Sequence, residues 1–183
     1  MESLHRVALC GVDRAGNVVL AYGDVVDAPV YLRSSAKPFI AAAVVQSGAA
    51  ERFGLEEHEI AVMAGSHTGQ AFHVEAVGSI LAKLDMPASA LQCGTHAPYN
   101  AEAAAQLERA GKSPTVLHNN CSGKHAGILA LCKIIGADPA TYLEAVNPAE
   151  QIILNFCARV SDADAATMPI GVDGCGIPVY GVP

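Results

Sequence analysis

The sequence predicts a layered α/β fold of the α+β kind, an antiparallel sheet with flanking helices in one domain over residues 1–183, and three observations predict it. A β-rich hairpin opens the chain, a series of helical patterns fills its middle, and residues 168–183 return to the Val, Ile, Gly and Pro texture of strand and turn. No linker, internal repeat or composition break interrupts the 183 residues, and 51% hydrophobic against 16% charged residues is enough for one core.

The elements follow in order. Residues 5–12 and 17–23 are β-rich runs joined by Asp13-Arg14-Ala15-Gly16, a four-residue turn closing on glycine, so the sheet is expected to start there. Past Asp27-Ala28-Pro29 the chain reads as extended to Arg33. Residues 41–46 then read as a buried helix that Gly48 ends. Helical spacing recurs over 56–63, 70–83, 101–110, 124–135 and 148–160, each stopping near Gly, Pro or Asn. The charged run 51–59 reads as a solvated face.

Charge narrows the function. Eleven Lys and Arg against 18 Asp and Glu give a net charge of −7 with no basic run, so neither phosphate backbones nor anionic membranes are expected partners. The longest apolar stretch, residues 39–45, falls far short of the roughly 20 residues a spanning helix needs. Met1-Glu2-Ser3-Leu4-His5 has no basic segment leading into an apolar core, and a cytoplasmic location is the expectation. Widely spaced Cys10, Cys93, Cys121, Cys132, Cys157 and Cys175 read as reduced thiols. Cys10, Cys132 and Cys157 lie in apolar patterns and are expected in the core, whereas Cys121 and Cys175 sit in polar, glycine-rich loops suited to chemistry.

Three islands carry candidate chemistry. In Ser34-Ser35-Ala36-Lys37 a serine and a lysine three apart share one face of a helical turn, where a lysine amine kept neutral by burial serves as base to the hydroxyl. Pro38 pushes Lys37 away from helical angles, which predicts an irregular first turn. Ten serines and five lysines give about 0.3 such pairs by chance, so the spacing alone is weak, and helix capping by Ser34 or Ser35 is the plainer alternative. In Gly65-Ser66-His67-Thr68-Gly69, glycines let the backbone approach a ligand; Ser66 offers a second nucleophile or donor and His67 a group to orient it, unless the segment is only a loop whose Thr68 caps the next helix. The third island is Asn119-Asn120-Cys121-Ser122-Gly123-Lys124-His125, with Asp173-Gly174-Cys175 far downstream. Two thiolates with His125 would make a three-ligand zinc site open to water or substrate. The spacing of a phosphate-binding G-x-x-x-x-G-K-[ST] loop is absent.

In this order, Arg33-Ser34-Ser35-Ala36-Lys37-Pro38, Ser66-His67-x-Gly69, Cys121-Ser122-Gly123-Lys124-His125-Ala126-Gly127 and Asp173-Gly174-Cys175-Gly176-x-Pro178 resemble the Rhizobium etli-type L-asparaginases of the asparaginase II family. The resemblance runs nearly end to end. It implies an amidohydrolase converting L-asparagine to aspartate and ammonia, on a fold similar to serine β-lactamases and glutaminases, as a homodimer. It also implies Ser34 and Lys37 as one Ser-Lys pair, Ser66 as the serine of a second, and zinc on Cys121, Lys124 and Cys175, with Lys124 replacing His125. Asp173 and His125 then lie near metal and substrate as substrate-binding residues. Gln70 stands where many relatives have Glu, and the second pair's lysine belongs to a portion past Pro183, so the resemblance implies a chain truncated at its C-terminus. The expected reaction is attack of Ser34 or Ser66 on the side-chain amide, Lys37 taking the proton, with helix-start N–H groups steadying the oxyanion. The alternatives are a zinc- or small-molecule-binding fragment and a β-lactamase-like serine hydrolase.

Overall fold

The computed structural model describes residues 3–5, 7–23 and 29–182. In chain order it runs β1 (Leu9–Val12), β2 (Val18–Tyr22), β3 (Val30–Tyr31), α1 (Lys37–Gln46), α2 (Ala49–Phe53), α3 (Glu57–Met63), α4 (Ala71–Lys83), α5 (Ala101–Arg109), α6 (Ser122–Ile135), α7 (Pro148–Val160), β4 (Ile170–Val172) and β5 (Pro178–Val182). This is the mixed fold expected, helices beside antiparallel strands. No helix among the described residues is long and apolar enough to cross a membrane.

Helix α6 sits at the centre. Every residue from Ser122 to Cys132 is buried, Lys124 and His125 included, the rest of the stretch being apolar or small on all sides, and α1, α3, α4 and α7 pack around it. Two glycines permit the closest of these approaches. A Cβ on Gly123 would lie 2.2 Å from the Val62 carbonyl oxygen, and one on Gly127 would lie 2.9 Å from Met63 Sδ, so α6 and α3 meet backbone to backbone. That contact sets the segment after α3 against the start of α6, where the second and third islands meet.

The helices fall close to their expected positions, α7 coinciding with 148–160. Four differences have physical causes. Helix α1 starts at Lys37, earlier than 41, because Pro38 lies in the first turn, where a missing N–H breaks no bond. Lys37 itself is helical, at φ −57° and ψ −39°, so the irregular turn predicted from Pro38 does not form. Five residues suffice for α2, bracketed by left-handed Gly48 and Gly54. Within the run read as solvated, Glu59 is fully buried and accepts from Lys83 Nζ at 2.7 Å, completing a capping box with the Glu56 backbone.

The sheet is less continuous than expected. Strands β1 and β2 form their own hairpin with Leu9 opposite Tyr22, turning through left-handed Gly16, and their side chains are exposed on both faces. Cys10 lies on this hairpin and is exposed, which corrects its placement in the core; Cys132 and Cys157 are buried as expected, and all six cysteines are free. A separate sheet has the order β3-β5-β4, with β5 buried against α7. The approach to Arg33 is described only from Pro29, since Asp27 and Ala28 lie outside the described residues.

Candidate functional site

Strand β3 delivers the chain to the first island through Arg33, whose φ of +48° is left-handed and therefore strained for a side chain of this size. A 3-10 turn over Arg33–Ala36 follows, with no side-chain cap from Ser34 or Ser35, and Lys37 then opens α1 with its side chain fully buried. Its amine does not turn back to Ser34. Lys37 Nζ lies 2.8 Å from Ser66 Oγ and 3.2 Å from each of two backbone carbonyls, those of Gly65 and Asn120. Ser34 is reached only through Ser66, the two hydroxyl oxygens standing 3.2 Å apart.

With three N–H bonds the amine donates to both carbonyls and to Ser66 Oγ; once it has lost one proton, the carbonyls still hold the remaining two N–H bonds and the lone pair is free to face Ser66. Burial lowers the pKa of Lys37, against the pull of the Cys121 thiolate in the other direction. The amine is thereby moved toward the form that accepts a proton.

His67 fixes the segment that carries Ser66. Its Nδ1 accepts from the Gly69 N–H at 3.2 Å, so the ring proton sits on Nε2 and is donated to Ser122 Oγ at 2.8 Å. Ser122 in turn donates to the Leu117 carbonyl at 3.0 Å. Burial and the neighbouring His73 hold the imidazole down at a pKa of about 4, so His67 is a neutral brace between the loop and α6. Thr68 does not cap the next helix; its hydroxyl donates to Gln70 Oε1 at 3.0 Å. Gly69, at φ +76°, has no room for a side chain, a Cβ meeting Pro98 at 2.9 Å.

The third island and its downstream partner come together. Lys124 Nζ lies 2.9 Å from Asp173 Oδ2 and 3.2 Å from Cys175 Sγ, and Cys175 also has backbone and thiol bonds to Asp173 Oδ1. The neighbouring Cys175 and the charges of Lys124 and Lys37 outweigh burial and lower the Cys121 thiol to about 5, while the Cys121 neighbour and burial raise Cys175. Burial raises the Asp173 carboxyl, but the Cys175 bond and the Lys124 charge outweigh it and hold it at about 2.

Among the described residues no three His, Cys, Asp or Glu side chains form a metal cluster. The two thiols do converge with Lys124, and two sulfurs with a nitrogen are a donor set suited to zinc once the amine has lost its proton. His125 faces another way. Tyr142 accepts from the Gln92 N–H at 2.7 Å and so gives its own proton to His125 Nδ1, at 2.8 Å. The proton of His125 is therefore on Nε2, which is buried without a partner, and burial holds the ring at about 3.

Two contributors had no signal in the sequence. The carbonyls of Gly65 and Asn120 are backbone groups, and any residue could supply them. Glu150, on α7, looks like an ordinary helix-surface acid, yet it is fully buried, accepts from Tyr180 Oη at 2.7 Å, and has its other carboxyl oxygen unpartnered. Burial raises it to about 7.

A family model described as L-asparaginase II matches residues 1–183. No curated protein matches the chain.

Proposed function

The chain belongs to the L-asparaginase II family, an amidohydrolase family, and on that premise we propose that it is an asparaginase of the Rhizobium etli type in which Ser66 is the nucleophile and Lys37 its base. One observation carries the reading: the buried Lys37 amine is held 2.8 Å from Ser66 Oγ by two backbone carbonyls, so that in its deprotonated form the lone pair meets the Ser66 hydroxyl. Ser66 Oγ attacks the side-chain carbonyl of asparagine as its proton passes to Lys37 Nζ. Lys37 then returns that proton to the departing nitrogen, ammonia leaves, and water cleaves the aspartyl ester.

Ser34 Oγ accepts from Ser66 Oγ at 3.2 Å and holds the attacking hydroxyl in place. Helix α6 starts two residues after Asn120, whose carbonyl accepts from Lys37, and its first N–H groups are the donors that would steady the oxyanion. Asp173 forms the polar side at which the substrate's charged groups bind, and His125, bonded to Tyr142, supports it from behind without facing the substrate. Cys121, Lys124 and Cys175 are the residues that would hold zinc, which when bound supplies a Lewis acid that positions substrate. A β-lactamase-like use of Ser34 is disfavoured because the lysine three residues on contacts Ser66 instead. We propose a homodimer in the cytoplasm.

The test is peptide mass mapping of protein quenched during turnover of L-asparagine, with ammonia release measured in parallel. An aspartyl ester on the peptide carrying Ser66, lost together with ammonia release in Ser66→Ala and retained in Ser34→Ala, supports the assignment. An ester on Ser34, or ammonia release undiminished in Ser66→Ala, overturns it.

A further inference from the structure

Ser66 stands at a boundary between two chemically different environments. On one side are Ser34 and, beyond it, the charged residues Arg33 and Lys124, which line a separate narrow crevice. On the other is a cavity of about 530 Å³ lined by His58, Ala61, Val62, Phe72, His73 and Ala76 together with Gly65, Ser66 and His67. No carboxylate, ammonium or guanidinium is among these lining groups. The zwitterionic end of an amino acid, which needs charged or strongly hydrogen-bonding partners, is therefore not what this cavity suits.

Its volume lies within the range of about 300–1,000 Å³ typical of ligand pockets, far beyond the needs of a departing ammonia. One wall is a row of rings. His67 and His73 stack with centroids 5.0 Å apart at an interplanar angle of 20°, and Phe72 lies 3.9 Å from His73. Phe72 is 60% exposed, an aromatic face without a cover. A flat apolar group lying against this row would bury it and complete the stack.

We propose that this cavity receives the leaving group of N-aryl carboxamides, so that the chain cleaves aryl amides of aspartate as well as the primary amide of asparagine. The inference rests on the acyl-transfer reading above. The C–N bond of the anilide breaks as the Ser66 Oγ–C bond forms; the proton taken by Lys37 goes to the nitrogen, and the arylamine departs into the cavity. Water then hydrolyses the same aspartyl ester that asparagine gives, so no further co-reactant is required.

The experiment has a binding arm and a turnover arm. Aniline is titrated into the protein while the histidine ring resonances are followed by NMR, and hydrolysis of L-aspartate β-anilide is compared with that of L-asparagine. The expected result is movement of the His58 and His73 signals with His118 unmoved, and hydrolysis of both substrates. Ala61→Trp, which fills the cavity, and Phe72→Ala, which removes an exposed ring, are each expected to lower the anilide-to-asparagine ratio of kcat/KM by about tenfold. Ala61→Trp should also abolish the aniline shifts, with melting curves verifying that both variants fold. Hydrolysis of asparagine but not anilide, or resonances unmoved by aniline, overturns the inference and leaves the asparaginase reading intact. Aniline binding with neither substrate cleaved overturns the leaving-group role along with the acyl-transfer reading.

Discussion

Lys37 Nζ is hydrogen-bonded to Ser66 Oγ at 2.8 Å and reaches Ser34, its neighbour three residues back, only through that hydroxyl. The short-range S-x-x-K spacing is thus bridged by a residue from another loop, and proton transfer depends on how two segments are held together.

Replacing Lys37 by Met keeps the length of the side chain and removes the base. Ammonia release should fall by about 10²–10⁴-fold, the usual range for a positioned general base. The melting temperature should fall, because the Gly65 and Asn120 carbonyls lose their donor. Turnover within about tenfold of the parent would remove Lys37 from proton transfer.

Asp173 contacts both Lys124 and Cys175, so Asp173→Asn should weaken zinc uptake by about 10–100-fold, as loss of groups that orient metal ligands typically does. Cys175→Ser should weaken it further. Competition against a chromogenic chelator measures both. Uptake unchanged in Cys175→Ser would place the ion elsewhere.

Glu150 makes stability depend on pH. Its folded pKa, raised to about 7 from 4.5 by burial, means that the folded chain keeps a proton the unfolded chain has already lost. The stabilisation is complete below about 4.5 and is lost as pH rises through 7. From about pH 5 to pH 8, wild-type stability should fall relative to Glu150→Gln by about 3 kcal/mol, read from urea unfolding at each pH. Parallel curves for the two proteins would show that Glu150 is ionised in the fold throughout.

Gly123 allows α6 to meet α3 at the Val62 carbonyl. Gly123→Ala should destabilise the protein by about 1–3 kcal/mol through overpacking and, by displacing the start of α6 from the Ser66 loop, reduce turnover as well. Gly136→Ala tests the C-terminal end of the same helix, where a Cβ meets nothing within 4 Å but the left-handed φ of +72° is strained. It should destabilise with little effect on turnover. Equal turnover losses in the two would separate activity from the α3–α6 contact.

Much of this architecture could be read from residue order. Periodicity located the helices to within a few residues, since 124–135 and 148–160 carry strong apolar patterns ended by Gly and by a polar turn. What it missed is non-local. The depth of Glu59 and Glu150 depends on which helix covers them, and Cys10 follows an apolar pattern on a hairpin that no element among the described residues covers. At the site, the sequence named Ser34, Lys37, Ser66, Cys121, Lys124 and Cys175, but the pairing within them was not visible. Lys37 could be matched to Ser34 by spacing, whereas its bond to Ser66 exists only once α1, the loop after α3 and the turn before α6 are assembled.

The amine of Lys37 ties together positions 28, 29 and 83 residues away. Local helices can form before such distant loops close, and closing them is the slow, entropically expensive part of folding. In a refolding experiment, ellipticity would recover ahead of catalysis. Partly assembled forms would be chemically silent, which makes turnover a report on native closure rather than on helix content.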